Sequence, residues 1–214
     1  NGTFTNNQAR LVYVSGGGTH TINIENATFT NNSVKGCGAI FLMDQSNAGN
    51  ASAINVYGGT FTDNACLLSS TSYGSGSIAR LKSPGALHFY GGTFANNTTA
   101  AGKNYEGIYL RDDVSKKLGS NVYVHKLSAD LNVYLTPSSA KIFMSRIVVD
   151  SALTHTISVY IADNRVPATG MPLVVGTDEY KLSEADLAMV KSANPKATFY
   201  LDTENNAICI AKAE

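Results

Sequence analysis

A phrase of five residues recurs four times in the first half of the chain, and it constrains the fold more than any other feature. Each copy reads Thr-Phe, then Thr or Ala, then Asn or Asp, then Asn. The copies lie at residues 3–7, 28–32, 60–64 and 93–97. A repeat of this kind indicates one supersecondary unit stacked on copies of itself, because such units bury their apolar faces against each other. We therefore expect a stack of similar units.

A strict alternation of apolar and other residues precedes three of the copies. The segments are 22–25 (Ile-Asn-Ile-Glu), 54–57 (Ile-Asn-Val-Tyr) and 87–90 (Leu-His-Phe-Tyr). Period-two alternation is typical of strands with one buried face, and the glycine pairs at 58–59 and 91–92 predict turns. The phrase returns every 25 to 33 residues, as a parallel β-helix requires. Asparagine suits its corners, because it tolerates left-handed backbone and stacked amides bond to one another.

The chain also resembles a known class of repeat proteins. Phe-x-x-Asn followed by Gly-Gly-Ala-Ile is the paired repeat of chlamydial polymorphic outer-membrane proteins, and large surface proteins of gut bacteria carry similar repeats. This sequence has Phe-Thr-Asn-Asn at 29–32 and Gly-Cys-Gly-Ala-Ile at 36–40, and the likeness covers roughly residues 1–125. The gut-bacterial proteins are the closer likeness. The resemblance implies a right-handed parallel β-helix and an extracellular or bacterial cell-surface location.

The charged residues are distributed unevenly, which suggests two structural regimes. Residues 1–100 contain four Lys or Arg and three Asp or Glu, whereas residues 101–214 contain twelve and thirteen. Strand-like alternation without the phrase continues at 121–125, 131–135, 140–144 and 156–161. We therefore expect a β-helix over residues 1–165, regular to about residue 125, and a small C-terminal module over 166–214.

The C-terminal module is predicted to contain a helix and a hairpin that cap the stack. Ser183 is a good N-cap with Asp186 three residues on, and an apolar helical face continues to Ala193. Residues 197–201 and 207–210 have the composition and spacing of a hairpin. An open stack end exposes unpaired backbone, so a cap or a linker toward a further domain is expected there.

Several classes of function are disfavoured by the composition. Formal net charge is zero, so the chain lacks the basic footprint of a nucleic-acid or anionic-membrane binder. No apolar run approaches the roughly 18 residues that span a bilayer, and we expect no membrane insertion by this chain. The four histidines lack metal-ligand spacing and no nucleotide motif occurs, so neither metal nor cofactor is expected. Because the chain begins inside a repeat, we expect further domains in the same polypeptide.

An enzyme of the pectate-lyase-like β-helix type is the alternative to a non-catalytic role. The best acidic cluster is Asp112 and Asp113 after Arg111, with Arg80 and Lys82 expected one repeat away. These elements resemble the Asp-Asp and Arg-x-Lys elements of polygalacturonases, which would imply hydrolysis by positioned carboxylates. The family's Gly-His-Gly is absent, and Arg80-x-Lys82 precedes the acidic pair instead of following it. We therefore expect no enzyme, and keep a polysaccharide lyase or glycoside hydrolase as the alternative.

Outward-facing residues of the alternating strands stack into two columns when the repeats are set in register. The columns are Asn23, Asn55, His88 and Tyr123, and Glu25, Tyr57, Tyr90 and His125. Neighbouring repeats rise by one inter-strand spacing, about 4.8 Å, so the rings should form a stripe. Amphipathic rings on a rigid sheet are good anchors for sugars and proteins. We predict that Tyr57, Tyr90, His88, Tyr123 and His125 bind a host or cell-wall glycan, or a host surface protein, in an adhesin or stalk.

Overall fold

The computed structural model describes residues 1–35, 40–45, 51–67, 76–82, 84–99, 107–112, 118–136, 144–161, 166–167 and 169–212. Within these ranges the chain is nearly all strand, with one short helix. No helix in the described ranges is both long and apolar enough to cross a membrane.

The strands are short, and their order along the chain shows how the repeats are built. They are β1 (Thr3–Thr5), β2 (Val12–Ser15), β3 (Thr21–Ile24), β4 (Ala27–Thr30), β5 (Ser33–Val34), β6 (Phe41–Asp44), β7 (Ser52–Val56), β8 (Gly59–Thr62), β9 (Ala65–Cys66), β10 (Ala79–Lys82), β11 (Gly85–Phe89), β12 (Thr93–Ala95), β13 (Thr98–Thr99), β14 (Ile108–Arg111), β15 (Asn121–Val124), β16 (Leu131–Thr136), β17 (Arg146–Val149), β18 (Ile157–Ile161), β19 (Met171–Gly176), β20 (Val190–Ser192), β21 (Ala197–Asp202) and β22 (Ala207–Lys212). The helix α1 is Glu184–Met189 and precedes β20.

The strands form four sheets, which the chain visits in turn. A four-stranded sheet has the order β1-β4-β8-β12, and a three-stranded sheet has the order β13-β9-β5. A seven-stranded sheet runs β2-β6-β10-β14-β16-β18-β20, and an eight-stranded sheet runs β21-β22-β19-β17-β15-β11-β7-β3. The described pairings are parallel, except that β22 pairs antiparallel with β19 and with β21. The fold is therefore all-β with parallel sheets.

The register pairs each copy of the phrase with the next copy. Phe4 lies opposite Phe29, Phe29 opposite Phe61, and Phe61 opposite Phe94. The rings of these pairs stack with centroids 5.0, 5.0 and 5.1 Å apart. Phe29 and Phe61 are 1% and 0% exposed. The phenylalanine of the phrase thus builds a continuous apolar column, which is buried at Phe29 and Phe61 and exposed at its first member, Phe4.

The two final residues of the phrase have different tasks. The fourth residue of the phrase has left-handed backbone in every copy. These residues are Asn6, Asn31, Asp63 and Asn96, with φ of 57, 53, 55 and 54°. The fifth residue forms an amide ladder, which runs through Asn7, Asn32, Asn64 and Asn97. In this ladder each side-chain amide donates to the Oδ1 of the next, at 2.8, 2.9 and 2.9 Å. The prediction that asparagine holds the corners is confirmed, with the turn and the ladder on adjacent residues.

Asp63 tests the conformational role of the fourth residue of the phrase. Asp63→Ala is expected to lower the free energy of unfolding by about 1 kcal/mol, because left-handed backbone costs most L-residues roughly 1–2 kcal/mol. Asp63→Gly should be close to neutral, since glycine adopts this conformation without strain. Urea unfolding of both variants measures the difference. Asp178→Ala, at an exposed aspartate, is the control. Equal losses in the alanine and glycine variants of Asp63 would contradict the expectation.

Beyond β13, the described chain alternates between the seven-stranded and eight-stranded sheets as far as β21. The strands predicted at 121–125, 131–135 and 156–161 are confirmed as β15, β16 and β18. The strand predicted at 140–144 lies mostly outside the described residues. The sequence patterns do not predict β17, although it pairs in register with β15. The phrase and the four-stranded sheet end together, because the phrase supplies the strands of that sheet.

The C-terminal helix and hairpin are both present, but the helix is shorter than expected. Ser183 is the N-cap, and Asp186 completes a capping box with it. The prediction of a helical face up to Ala193 is wrong, since the helix ends at Met189 and β20 follows. Tertiary pairing outweighs helix propensity there, because Val190 continues the seven-stranded sheet opposite Ile157. The hairpin is β21–β22. The assignment of 166–214 as a separate cap stays a prediction.

Candidate functional site

The two predicted columns lie on the outer face of the eight-stranded sheet. Asn55 lies opposite Asn23 and His88, and His88 lies opposite Tyr123. Alternation in β11 turns Leu87 and Phe89 inward, where both are fully buried, so that the residues between and after them face outward. The columns are therefore a direct consequence of period-two patterning combined with the repeat register.

The five residues predicted to bind a ligand form one stacked assembly, the ring cluster, which consists of Tyr57, Tyr90, His125, His88 and Tyr123. Tyr57 stacks on Tyr90 with centroids 4.8 Å apart, and Tyr90 stacks on His125 at 4.0 Å. His88 stacks on Tyr123 at 4.3 Å, with ring planes 3° apart. The structure thus brings all five together. Their binding role stays a prediction.

Exposure in the ring cluster is greatest at one end. Tyr57 is 46% exposed and Tyr90 is 36% exposed, whereas both histidines and Tyr123 are half-buried. Tyr90 has a ring over each of its two faces, whereas each of the other four rings is stacked on one face only. The residue preceding Tyr57 in its column is Glu25, an exposed carboxylate instead of a ring. A ligand would meet polar ring edges along the cluster and the open face of Tyr57.

A carboxylate that the sequence analysis does not identify completes the cluster. The Oδ2 of Asp150 lies 2.5 Å from Nδ1 of His125, and Nε2 of His125 lies 3.1 Å from Nδ1 of His88. Asp150 follows β17, and the pairing of Val149 with Val124 sets it opposite His125. The signal that would identify it is the second column itself, extended by one repeat along β17.

The environment shifts the pKa values of two members of the cluster. Burial lowers the pKa of His88, and the neighbouring His125 lowers it further. Burial raises the pKa of Tyr90, helped by Tyr57 and by the carboxylate of Asp150. His88 and Tyr90 are consequently neutral near neutral pH. The cluster presents hydrogen-bonding groups at that pH, with the negative charge of Asp150 at one end.

The acidic cluster of the alternative hypothesis is hydrogen-bonded into the fold. Asp112 is 8% exposed, and its carboxylate accepts the backbone N–H groups of Met144 and Ser145 at 2.7 and 2.9 Å. The Ser145 hydroxyl donates to it as well. Burial raises the pKa of Asp112, and these hydrogen bonds oppose the shift. Asp113 lies outside the described residues.

Arg80 and Lys82, the two cations of the alternative hypothesis, lie on β10, which pairs with β14 as predicted. Their described contacts are with residues other than Asp112. Arg80 lies opposite Tyr109, and Lys82 opposite Arg111. Lys82 forms an ion pair with Asp44 at 2.9 Å, and the guanidinium of Arg80 lies 5.9 Å from the centroid of the Tyr109 ring. In the described part of the chain, neither cation forms an ion pair with Asp112.

No group of three or more His, Cys, Asp or Glu side chains suited to a metal ion occurs among the residues that the structure describes. Comparison of the chain with protein-family models, curated proteins and solved structures gives no match.

Proposed function

We propose that this chain is a non-catalytic module of a bacterial cell-surface or secreted protein, and that its ring cluster binds a glycan or a protein of the host. The observation that carries the proposal is the row of stacked rings on the outer face of a parallel sheet, in which Tyr57 and Tyr90 are exposed. Aromatic and histidine side chains held in one orientation lose little entropy on binding, which makes them effective anchors. The bacterial surface location is the implication of the repeat resemblance.

A right-handed parallel β-helix is the architecture that we propose for the repeats. The support is the order in which the chain visits the sheets, together with three stacked columns that cross the repeats, of phenylalanine, of asparagine amides and of outward rings. Each column continues from one repeat to the next with the same side-chain type or a similar one. Such a stack is a stiff rod, suited to hold a binding surface away from the cell.

A glycan fits the ring cluster better than an apolar partner does. The hydroxyl-bearing rings of Tyr57 and Tyr90 lie in neighbouring repeats, about 4.8 Å apart, so a polyhydroxylated chain lying along the column would find a hydrogen-bonding group at each of these two steps. The open face of Tyr57 can pack against an apolar sugar face. A host protein is the other outcome of a binding screen.

The binding proposal is tested by screening a glycan array and a panel of host surface proteins. For a ligand found this way, the double variant Tyr57→Ala/Tyr90→Ala should bind at least about tenfold more weakly, because truncating central aromatic anchors costs about 1 kcal/mol or more each. Tyr13→Ala is the matched control, since Tyr13 is 55% exposed but lies in β2, on a different sheet. Unchanged affinity in the double variant would place the ligand elsewhere.

The alternative function is a polysaccharide lyase or glycoside hydrolase built around Asp112. One observation favours it, namely that burial raises the pKa of this carboxyl, as a general acid requires. Its oxygens, however, are engaged by Met144 and Ser145. Turnover of polygalacturonate by the unmodified protein, lost in a folded Asp112→Asn variant, would establish the enzyme.

A further inference from the structure

Three titratable side chains form one hydrogen-bonded chain, which we call the proton chain. They are the carboxylate of Asp150 and the imidazoles of His125 and His88. The two contacts are 2.5 Å from Asp150 to His125 and 3.1 Å from His125 to His88. The imidazole planes are 9° apart, with centroids separated by 5.4 Å. The rings thus lie edge to edge with Nε2 of His125 facing Nδ1 of His88. A single hydrogen fits between two nitrogens in this arrangement.

The available hydrogen-bond donors and acceptors of these three groups determine which tautomer each imidazole adopts. An ionised carboxylate only accepts, so Nδ1 of His125 carries the hydrogen directed at Asp150. In neutral His125 the other nitrogen, Nε2, is then an acceptor, and His88 must donate to it from Nδ1. The remaining nitrogen of His88, Nε2, keeps its lone pair. The neutral proton chain therefore has a defined direction, from His88 through His125 to Asp150.

We propose that the proton chain takes up one proton as a unit and that this proton regulates ligand binding by the ring cluster, which rests on the proposed function. Uptake of the first proton preserves both hydrogen bonds, whichever imidazole carries most of the charge. A second proton would put hydrogens on both facing nitrogens and break the bond between the rings. The hydrogen-bond geometry therefore assigns the first proton to the pair of imidazoles and not to either one alone.

The surrounding groups favour charge on the Asp150 side of the proton chain. Among the described residues, the other titratable or charged side chains on this face, or next to it in the chain, include Glu25, Tyr57, Tyr90, Tyr123, Lys126 and Arg146. Tyr90 stacks on His125, and Tyr123 stacks on His88. Burial disfavours a charge on His88, whereas Asp150 is hydrogen-bonded to His125 and stabilises a charge there.

Proton uptake turns Nε2 of His88, the nitrogen at the end of the proton chain opposite Asp150, from a hydrogen-bond acceptor into a donor. Without the added proton, Nε2 of His88 accepts, so it suits a sugar hydroxyl. With the proton, Nε2 becomes an N–H donor, and the positive charge offsets the carboxylate of Asp150. The same site then suits a carboxylate or sulfate group of an acidic glycan. One proton thus changes the chemical class of group that this part of the ring cluster accepts.

Heteronuclear NMR of the imidazole nitrogens between about pH 8 and pH 5 tests the shared proton uptake without any ligand. We expect both His88 and His125 as the Nδ1–H tautomer at the upper pH, and one shared midpoint on acidification. Two independent midpoints, or the Nε2–H tautomer of His88 at the upper pH, would overturn the proposal. An empty binding screen leaves this result untouched, so failure of the proposed function and failure of the shared proton are distinguishable.

A charge variant tests the role of Asp150 in the same spectra. Asp150→Asn keeps a hydrogen-bond acceptor but removes the negative charge. The shared midpoint should therefore move to lower pH, to a proton concentration about tenfold higher or more. Asp178→Asn, an exposed aspartate elsewhere, is the matched control, and backbone amide spectra verify that both variants are folded. If the two variants had equal midpoints, Asp150 would not be a member of the proton chain.

Discussion

Asn64→Ala is expected to lower the free energy of unfolding by about 3–5 kcal/mol, because it leaves several buried polar groups without partners at roughly 1–3 kcal/mol each. The Asn64 amide donates to the carbonyl of Phe29 and to Oδ1 of Asn97, both at 2.9 Å. Its Oδ1 accepts both the backbone N–H and the side-chain amide of Asn32, at 3.1 and 2.9 Å. Asn64 is fully buried, so water does not replace these bonds.

Urea unfolding of Asn64→Ala beside Asn55→Ala measures the effect against a matched control. Asn55 also bonds an asparagine one repeat away, donating to Oδ1 of Asn23 at 2.9 Å, but this bond lies at the surface. Its loss should cost no more than about 0.5 kcal/mol, since water can replace it. Similar losses in the two variants would show that the buried ladder contributes no more than a surface amide pair.

The features that can be predicted from sequence are those that the repeat itself encodes. The phrase places one phenylalanine and one asparagine at the same point of each repeat, so the stacking of Phe29 on Phe61 and of Asn32 on Asn64 follows from alignment alone. Period-two alternation then determines which side chains face outward. For this reason the register of Tyr57, Tyr90 and the rest of the ring cluster follows from the amino-acid sequence.

The features that cannot be predicted depend on partners that the repeat does not mark. Asp150 follows β17, in which residues 147–149 are all apolar and show no period-two alternation, so the predicted second column ends one repeat too early. The backbone amides that bind Asp112 lie 32 and 33 residues away and have no side-chain signature. The end of α1 at Met189 depends on the pairing of Val190 with β18, a tertiary contact that local propensity does not report.

Asp112→Ala should destabilise the fold by about 3–5 kcal/mol, because it removes the acceptor of buried donors and the partner of a cation. The backbone N–H groups of Met144 and Ser145 would lose their acceptor. Burial lowers the pKa of Arg146, and the charge of Asp112 raises it. Without Asp112, the buried guanidinium would lose this stabilising negative charge. Thermal and urea unfolding measure the loss. Asp130→Ala is the control, since its exposed carboxylate accepts the N–H of Thr156 at 2.8 Å.

Asp112→Asn separates a structural carboxylate from a catalytic one. The asparagine oxygen can still accept from Ser145, but its amide then faces the N–H of Met144, donor against donor. We therefore expect this variant to recover about half of the stability lost in Asp112→Ala. A catalytic Asp112 predicts the opposite pattern, with both variants stable and turnover of polygalacturonate abolished in each. Graded unfolding with no turnover in the unmodified protein would identify Asp112 as a structural carboxylate that connects neighbouring repeats.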